Sequence, residues 1–535
     1  MPTLNWIGKD AVVNHHHQVP FHLLKDVPDL ACGEPGDGNL IVQGDNLVAL
    51  KALLPYYAGQ VKCIYIDPPY NTGNEGWVYN DNVNSPLMRE WLGKVVGKEG
   101  ETLDRHDRWL CMMYPRLALL RQFLREDGAI FISLDDSEVH ALRYVMDEVF
   151  GEQNFVTTIV WEKNYAPKAS AKYLSENHDY IVFYAKNKSL WQRNLIPRSE
   201  KQDKAYKNPD NDPRGLWRPN NLAARNAYSL GVYSITCPSG RVIPGPPKGS
   251  YWRVSKEKFE QLDRDGRIWW GKDGSNVPAP KIFLSEVKQG VVPMTIWTYE
   301  EAGHTQDAKK ELLEALPGAS EVFMTPKPPR LVARIIQLTA GPDDLILDSF
   351  AGSGTTGHAV LNLNQQDKGN RRFILVEMES QIAKGITAER ERRVAQGYKN
   401  EKGEKVEGLG GGFRYCELGE PLFDEGGKIR ETVSFSDLAR HVYFTETGEP
   451  LPRGRLTKSP FLGECRGVGI YLLYNGILGD KSSQGGNILT RAVLAQLPKY
   501  DGQKVIYCAG CLLGKDRLQA ERILIRQTSY EIKVS

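Results

Sequence analysis

The sequence predicts an α/β protein whose parallel sheet is assembled from two separated parts of the chain. Three observations predict it. Short apolar runs alternate with helical periodicities over 39–134 and again over 329–393. Between about 190 and 320 the pattern breaks down, and prolines, glycines, tryptophans and charges mix without clear periodicity. Each patterned part also carries a proline- or glycine-rich loop directly after a strand, where open α/β sheets bind ligands.

The elements follow in order. Residues 1–36 read as an irregular arm. The strand over 39–43 stops at Gly44-Asp45-Asn46, after which Leu47, Leu50, Leu53 and Leu54 recur at helical spacing. Val61–Ile66 is a second strand, ended by Asp67-Pro68-Pro69-Tyr70. A helix over 110–124 turns at Gly128 into a strand over 129–134. The pattern resumes with a helix over Pro329–Thr339, the strand Leu345–Asp348, a glycine loop, a helix and a strand over 373–376. Glu389 to Arg393 is a charged helical stretch, and Gly408 to Gly412 is the clearest linker. The chain therefore divides into an N-terminal arm (1–36), one half of the core (37–190), an insertion (191–320), the second half (321–407) and a small α+β region (413–535).

Composition sets the class. The chain has 535 residues, 41% hydrophobic and 25% charged, which fits about three domains of a soluble protein. A net charge of +2 gives no global signature for nucleic acid, so any such partner needs a local basic surface. Eight scattered cysteines read as reduced thiols. Cys508 and Cys511 form a C-x-x-C pair with no second pair nearby, and read as two partly buried thiols rather than a zinc site. His15, His16 and His17 read as exposed, and no metal is expected. The N-terminus lacks a signal-peptide layout, and no run approaches ~18 apolar residues. The expected location is the cytoplasm, away from membranes.

The loop Asp348-Ser349-Phe350-Ala351-Gly352-Ser353-Gly354-Thr355-Thr356-Gly357 matches G-x-G-x-x-G, and Glu377 follows at the end of the next strand. That is a dinucleotide fingerprint. Two features favour S-adenosylmethionine instead. A carboxylate at Asp348 repels a pyrophosphate and suits an ammonium group, and Phe350 is bulky and apolar where a phosphate would approach. Glu377 can accept ribose hydroxyls from either cofactor. A P-loop is disfavoured because His358, not lysine, follows Gly357. A dinucleotide or a purely structural glycine turn remain as alternatives.

Asp67-Pro68-Pro69-Tyr70 reads at its simplest as a turn that stops a strand. That explains the prolines, but not the acid before them and the aromatic after them. Methylation of an exocyclic amine does explain the set. Such an amine is a poor nucleophile, because its lone pair is delocalised into the ring. Acceptors on its two hydrogens, the Asp67 carboxylate and the Pro68 carbonyl, favour a pyramidal nitrogen. Tyr70 can stack on a base that has left the duplex, and the rest is positioning.

Together these segments resemble the β class of amino-methylating DNA methyltransferases, in which the catalytic tetrapeptide precedes the cofactor loop and a target-recognition region separates them. Gly44-Asp45-Asn46-Leu47, the run from Tyr65 to Gly73, and Thr325-Pro326-Lys327-Pro328-Pro329 resemble the modification subunits of type III restriction systems. The resemblance covers about 40–400. It implies a Rossmann-like S-adenosylmethionine-dependent methyltransferase sheet, and a target-recognition role for the insertion. Catalysis falls to Asp67, Pro68, Pro69 and Tyr70. Cofactor binding falls to Asp45, Lys327, Asp348, Phe350, Gly352, Gly354 and Glu377. Asp45 would meet the cofactor adenine and Lys327 its methionine end; a strand-end turn and a helix-start proline cluster are their plainer readings. The aspartate at 67 points to adenine N6. The implied partners are double-stranded DNA, a second copy of the chain and a restriction (helicase/nuclease) subunit. Residues 413–535 would dimerise or bind that subunit, although the tail is shorter than such subunits lead one to expect, which leaves a solitary methyltransferase open. N4-cytosine or RNA methylation, or a recognition subunit without turnover, are the alternatives.

DNA would lie on the stretch 163–225, with 13 Lys or Arg against 6 Asp or Glu. Tyr165, Tyr173, Tyr180, Trp191, Tyr206 and Trp217 are interleaved there as candidate stacking groups. A solvated basic face with some core aromatics is the plainer reading.

Overall fold

The computed structural model describes residues 3–33, 38–72, 90, 93–94, 105–198, 200–287, 290–317, 319, 325–400, 402–452, 459–474, 477–479 and 486–528. Gly73 of the run quoted above lies outside them.

Ten strands form one sheet: β1 (His22–Asp26), β2 (Leu40–Gln43), β3 (Val61–Ile66), β4 (Leu124–Leu134), β5 (Phe155–Glu162), β6 (His178–Ala185), β7 (Ile296–Trp297), β8 (Leu345–Asp348), β9 (Arg372–Glu377) and β10 (Arg414–Pro421). Their order is β1-β10-β2-β9-β8-β3-β4-β6-β5-β7. From β10 to β4 all neighbours are parallel. β8 and β9, from the second half of the chain, sit between β2 and β3, from the first half. The sheet cannot close without both.

The strand residues explain the two layers. Every residue of β3 is buried, as expected of a parallel strand covered on both faces. Successive side chains point to opposite faces. Ile64 and Ile66 join a core with α1 (Asn46–Tyr57), α2 (Arg105–Phe123) and α3 (Val139–Phe150). Cys63 and Tyr65 join the opposite core with α4 (Pro329–Thr339) and α5 (Thr355–Asp367). Two further helices, α6 (Glu389–Gln396) and α7 (Phe435–Thr447), follow.

Several boundaries differ from the sequence reading. The N-terminal stretch is not all irregular: β1 pairs antiparallel with β10. The run His22-Leu23-Leu24-Lys25-Asp26 lacks the alternation that marks a strand, and pairing is supplied by a segment nearly 400 residues away. His16 is buried rather than exposed, and its pKa is pushed down to about 4 chiefly by burial. β10 falls in the region read as a separate C-terminal one, yet it lies beside β2 in the main sheet. Beyond it, Phe461–Cys465, Val468–Leu472, Gln503–Cys508 and Ile523–Gln527 form a four-stranded sheet, whose core includes Phe21, Leu422 and Leu438.

Residues Leu195–Pro293 form a second compact unit. Its described residues form small antiparallel sheets, a short helix at Glu200–Asp203 and a longer one at Lys256–Arg264, with a core of Leu222, Ile235, Trp252, Phe259 and Ile268. This unit is narrower than the 191–320 span read from composition, because Ile296–Trp297 has joined the main sheet beside β5. Among the described residues no helix is long and apolar enough to cross a membrane.

Candidate active site

The four adjacent parallel strands β2, β9, β8 and β3 each deliver an acid at the carboxyl edge: Asp45, Glu377, Asp348 and Asp67 respectively. The sheet thus brings together the groups that the sequence leaves up to 332 residues apart. Phe350, Gly352 and Gly354 follow Asp348 in its loop, and Pro68, Pro69 and Tyr70 follow Asp67.

The glycine loop is tied down by the protein's own hydrogen bonds. Asp348 is buried; its Oδ1 accepts from the Phe350 amide (3.0 Å) and its Oδ2 from Thr356 Oγ1 (2.5 Å). Burial still raises its pKa to about 7, with Asp67 and Glu377 adding repulsion. Glu377 Oε2 accepts from the Gly352 amide at 2.9 Å, and Oε1 from the Glu379 amide at 2.9 Å. Behind the loop, buried Arg390 donates to the Ser353 carbonyl at 3.0 Å and to Thr355 Oγ1 at 3.0 Å. Thr387 Oγ1 donates to the Gly352 carbonyl at 2.6 Å. Gly354 starts α5 with a left-handed φ of 78°, which favours glycine. A Cβ on Gly357 would lie 2.6 Å from Glu391 Cδ, so the third glycine of the pattern makes room for a buried carboxyl group.

Asp45 caps α1, its Oδ1 accepting from the amides of Leu47 (3.0 Å) and Val48 (3.1 Å). Its Oδ2 meets Arg116 Nη2 at 3.1 Å. Arg116 is fully buried and also donates to Asn46 Oδ1 and to the Met112 carbonyl. Asn46 Nδ2 in turn donates to the Ser349 carbonyl at 3.2 Å, which links this corner to the glycine loop.

The catalytic loop is held differently. Lys327 Nζ lies 2.7 Å and 2.6 Å from the two Asp67 oxygens and 4.9 Å from the Tyr70 ring centre. The Lys327 carbonyl is fixed by Thr355 Oγ1 at 3.1 Å, so one residue touches both loops. Burial and nearby Asp179 raise the Asp67 pKa, while the Lys327 charge opposes the rise. Tyr70 donates its hydroxyl to Asp179 Oδ2 at 3.3 Å, and Lys163 Nζ holds Asp179 Oδ1 at 2.6 Å. Trp109 Nε1 donates to the Pro69 carbonyl at 2.7 Å. Among the described residues nothing donates to the Pro68 carbonyl. Asn71 stands in the left-handed region (φ 59°) and donates to buried Glu138, which His106 Nδ1 also meets at 2.6 Å.

All eleven site residues read from the sequence lie along this edge. Lys327, read as lying near the cofactor's methionine end, makes its contact with Asp67. Sequence reasoning missed Arg116, Trp109, Glu138, Asp179 and Arg390. Asp179 and Arg116 had a legible signal, a charged residue at or within a locally apolar run (Tyr180–Ala185 and Trp109–Leu120) that burial obliges to find a partner. The others depend on contacts between distant segments.

The six aromatics of the basic stretch differ in exposure, and Tyr180, half-buried on β6, sits with its hydroxyl 3.0 Å from His178 Nε2. Tyr206 and Trp217 are core residues, and Trp191 donates to Thr339 Oγ1. Tyr165 and Tyr173 are exposed at 55% and 84%. For the buried ones the plainer reading holds, since apolar rings among charges in sequence become a small core once folded.

The residues fit S-adenosylmethionine on two grounds. Asp348 is a buried carboxylate receiving only neutral donors, and its raised pKa is relieved by a cation such as an ammonium group. The Ser349 hydroxyl beside it is buried without a partner among the described residues.

Comparison with known proteins agrees with this geometry. The family model described as DNA methylase matches residues 61–389. The Mod subunit of the StyLTI type III restriction-modification enzyme of Salmonella typhimurium is 36% identical over 404 residues, 72% of this chain and 60% of that protein. The EcoPI Mod subunit of Escherichia phage P1 is 32% identical, over 71% of this chain and 64% of its own length. The EcoP15I Mod subunit of Escherichia coli is 30% identical, over 70% and 64%. The chain thus spans somewhat under two thirds of these relatives. The matched span runs from β3, which delivers Asp67, to the start of α6, which backs the glycine loop, and the chain belongs to the DNA methylase family.

Proposed function

We propose that the chain methylates the N6 amino group of adenine in double-stranded DNA, with S-adenosylmethionine as the methyl donor, as the modification component of a type III-like restriction-modification system. The observation that carries this is the placement of Asp67, the Pro68 carbonyl and Tyr70 on one loop, beside the buried acid Asp348 on the adjacent strand. Similarity to three Mod subunits of type III restriction-modification enzymes supports the restriction-modification setting; a nuclease partner and a dimer are part of the same proposal.

S-adenosylmethionine, when bound, supplies a methyl group already activated on a sulfonium. Asp348 would hold its ammonium group, with Glu377 and the loop around Phe350, Gly352 and Gly354 lining the site. Asp45 caps α1 at the same edge. The remaining work is orientation. The Asp67 carboxylate accepts one hydrogen of the amine and the Pro68 carbonyl the other, which leaves the nitrogen lone pair directed at the methyl group. Pro69 is pinned by Trp109, so the neighbouring Pro68 carbonyl is held in place. Tyr70 stacks on the base, fixed at its hydroxyl by Asp179. Lys327 keeps Asp67 ionised against its burial. The amine proton is lost to solvent after transfer, so no strong base is required.

The test is transfer of labelled methyl groups to DNA, followed by digestion to nucleosides. Label in N6-methyladenine is expected. Label in N4-methylcytosine would overturn the choice of base, and an absence of label in DNA would overturn the substrate.

A further inference from the structure

The connection between β5 and β6 is a hairpin-like loop with an ordered neck and an apolar tip. At the neck, the amides of Lys163 and Asn164 both donate to the Asn177 carbonyl, at 2.8 and 3.3 Å. The Lys168 amide donates to Ser175 Oγ at 2.8 Å, and Ser175 Oγ to Asn177 Oδ1 at 2.7 Å. At the tip stand Tyr173 and Leu174, exposed at 84% and 87%, the two highest values among the described large apolar residues. Lys172 lies 5.2 Å from the Tyr173 ring centre. The loop carries Lys163, Lys168 and Lys172 against Glu176 alone.

Two adjacent bulky apolar side chains, raised on a hydrogen-bonded neck and flanked by lysines, match a specific kind of surface. The lysines complement phosphates. An apolar pair of this shape fits between stacked bases, where protein wedges prise steps apart. The neck ends on the catalytic apparatus, because Lys163 grips Asp179 and Asp179 takes the Tyr70 hydroxyl. An opening made at the tip therefore lies one short chain of contacts from the platform on which the flipped base would rest.

We propose that Tyr173 and Leu174 form a wedge that enters duplex DNA beside the target base and holds open the gap it leaves; this rests on the DNA-methylating function proposed above. The cost of unstacking and unpairing then falls on the tip, and it shrinks when the target is already unpaired.

The experiment compares wild type with the Tyr173→Ala/Leu174→Ala double variant on two duplexes containing the methylated site. In one the target base is paired, and in the other it faces an abasic position. Both side chains are exposed, so the variant's melting temperature should match wild type. Its kcat/KM should fall about 30-fold on the paired duplex and return to within about 3-fold of wild type on the abasic one. Fluorescence of 2-aminopurine at the target position should show the same loss and rescue without turnover. Equal rates for variant and wild type on the paired duplex, or an equal loss on both duplexes, would overturn the wedge. A wild type that methylates neither duplex would overturn the DNA reading instead, which separates the two failures.

Discussion

The glycine loop after β8 and the proline loop after β3 lie on neighbouring strands, yet they are secured in opposite ways. The first is fastened from below by backbone and buried side-chain hydrogen bonds from Glu377, Thr387 and Arg390, and by the Arg116–Asn46 corner. Its central acid, Asp348, is left as a buried carboxyl group with only neutral donors. The second has its backbone pinned at Pro69 and its Asn71 side chain tied to the Arg105 carbonyl, but its two functional side chains rest on charged partners, Asp67 on Lys327 and Tyr70 on Asp179. A rigid cradle suits a methyl donor of fixed shape that binds afresh in each cycle. Charged partners suit a loop whose acid has to stay ionised while it receives a base.

The largest effect is expected where the rigid side is unpicked. Arg116→Met leaves Asp45 and Asn46 without their buried donor, and should cost about 3–5 kcal/mol in denaturant unfolding. A loss below about 1 kcal/mol would mean that the corner is not a structural anchor.

Asp348→Asn should weaken S-adenosylmethionine binding about 10–100-fold by calorimetry. The pH dependence carries the sharper test. The folded pKa of Asp348, about 7, lies above its ordinary value of 3.8. Its favourable contribution is therefore complete below pH 3.8 and is lost as pH rises through about 7. The cofactor-free variant should gain melting temperature relative to wild type over that window. Cofactor affinity of the wild type should tighten as pH rises through 7, with proton release, and that of the variant should stay flat.

On the catalytic side, Tyr70→Ala should lower kcat about 30-fold through lost stacking, and Tyr70→Phe much less. Lys327→Met removes the charge that opposes the raised pKa of Asp67. Transfer needs the carboxylate, so the acid limb of the pH–rate profile should move to higher pH, with only a few-fold loss at pH 8. An unmoved limb would show that Lys327 does not govern Asp67.

Much of this edge was legible in the sequence because short motifs at strand ends carry their own geometry. Val61–Ile66 before Asp67-Pro68-Pro69-Tyr70, and Leu345–Asp348 before the glycines, needed only local pattern. The helix Pro329–Thr339 was bounded correctly by its prolines and apolar period. The limits are equally physical. Nothing local marks His22–Asp26 as a strand, because its partner is β10. Gly357 looks like part of a phosphate fingerprint, whereas its neighbour is Glu391, supplied by a different helix. The Lys327–Asp67 pair spans 260 positions, and only the sheet order brings its members together.

The most direct test of the division between the two loops is Asp67→Ala, measured for cofactor affinity by calorimetry and for methyl transfer in a single turnover at saturating cofactor. Affinity should stay within about 3-fold of wild type while transfer falls about 1,000-fold. Undiminished transfer would contradict the account, and so would a transfer loss that merely tracked a loss of cofactor binding.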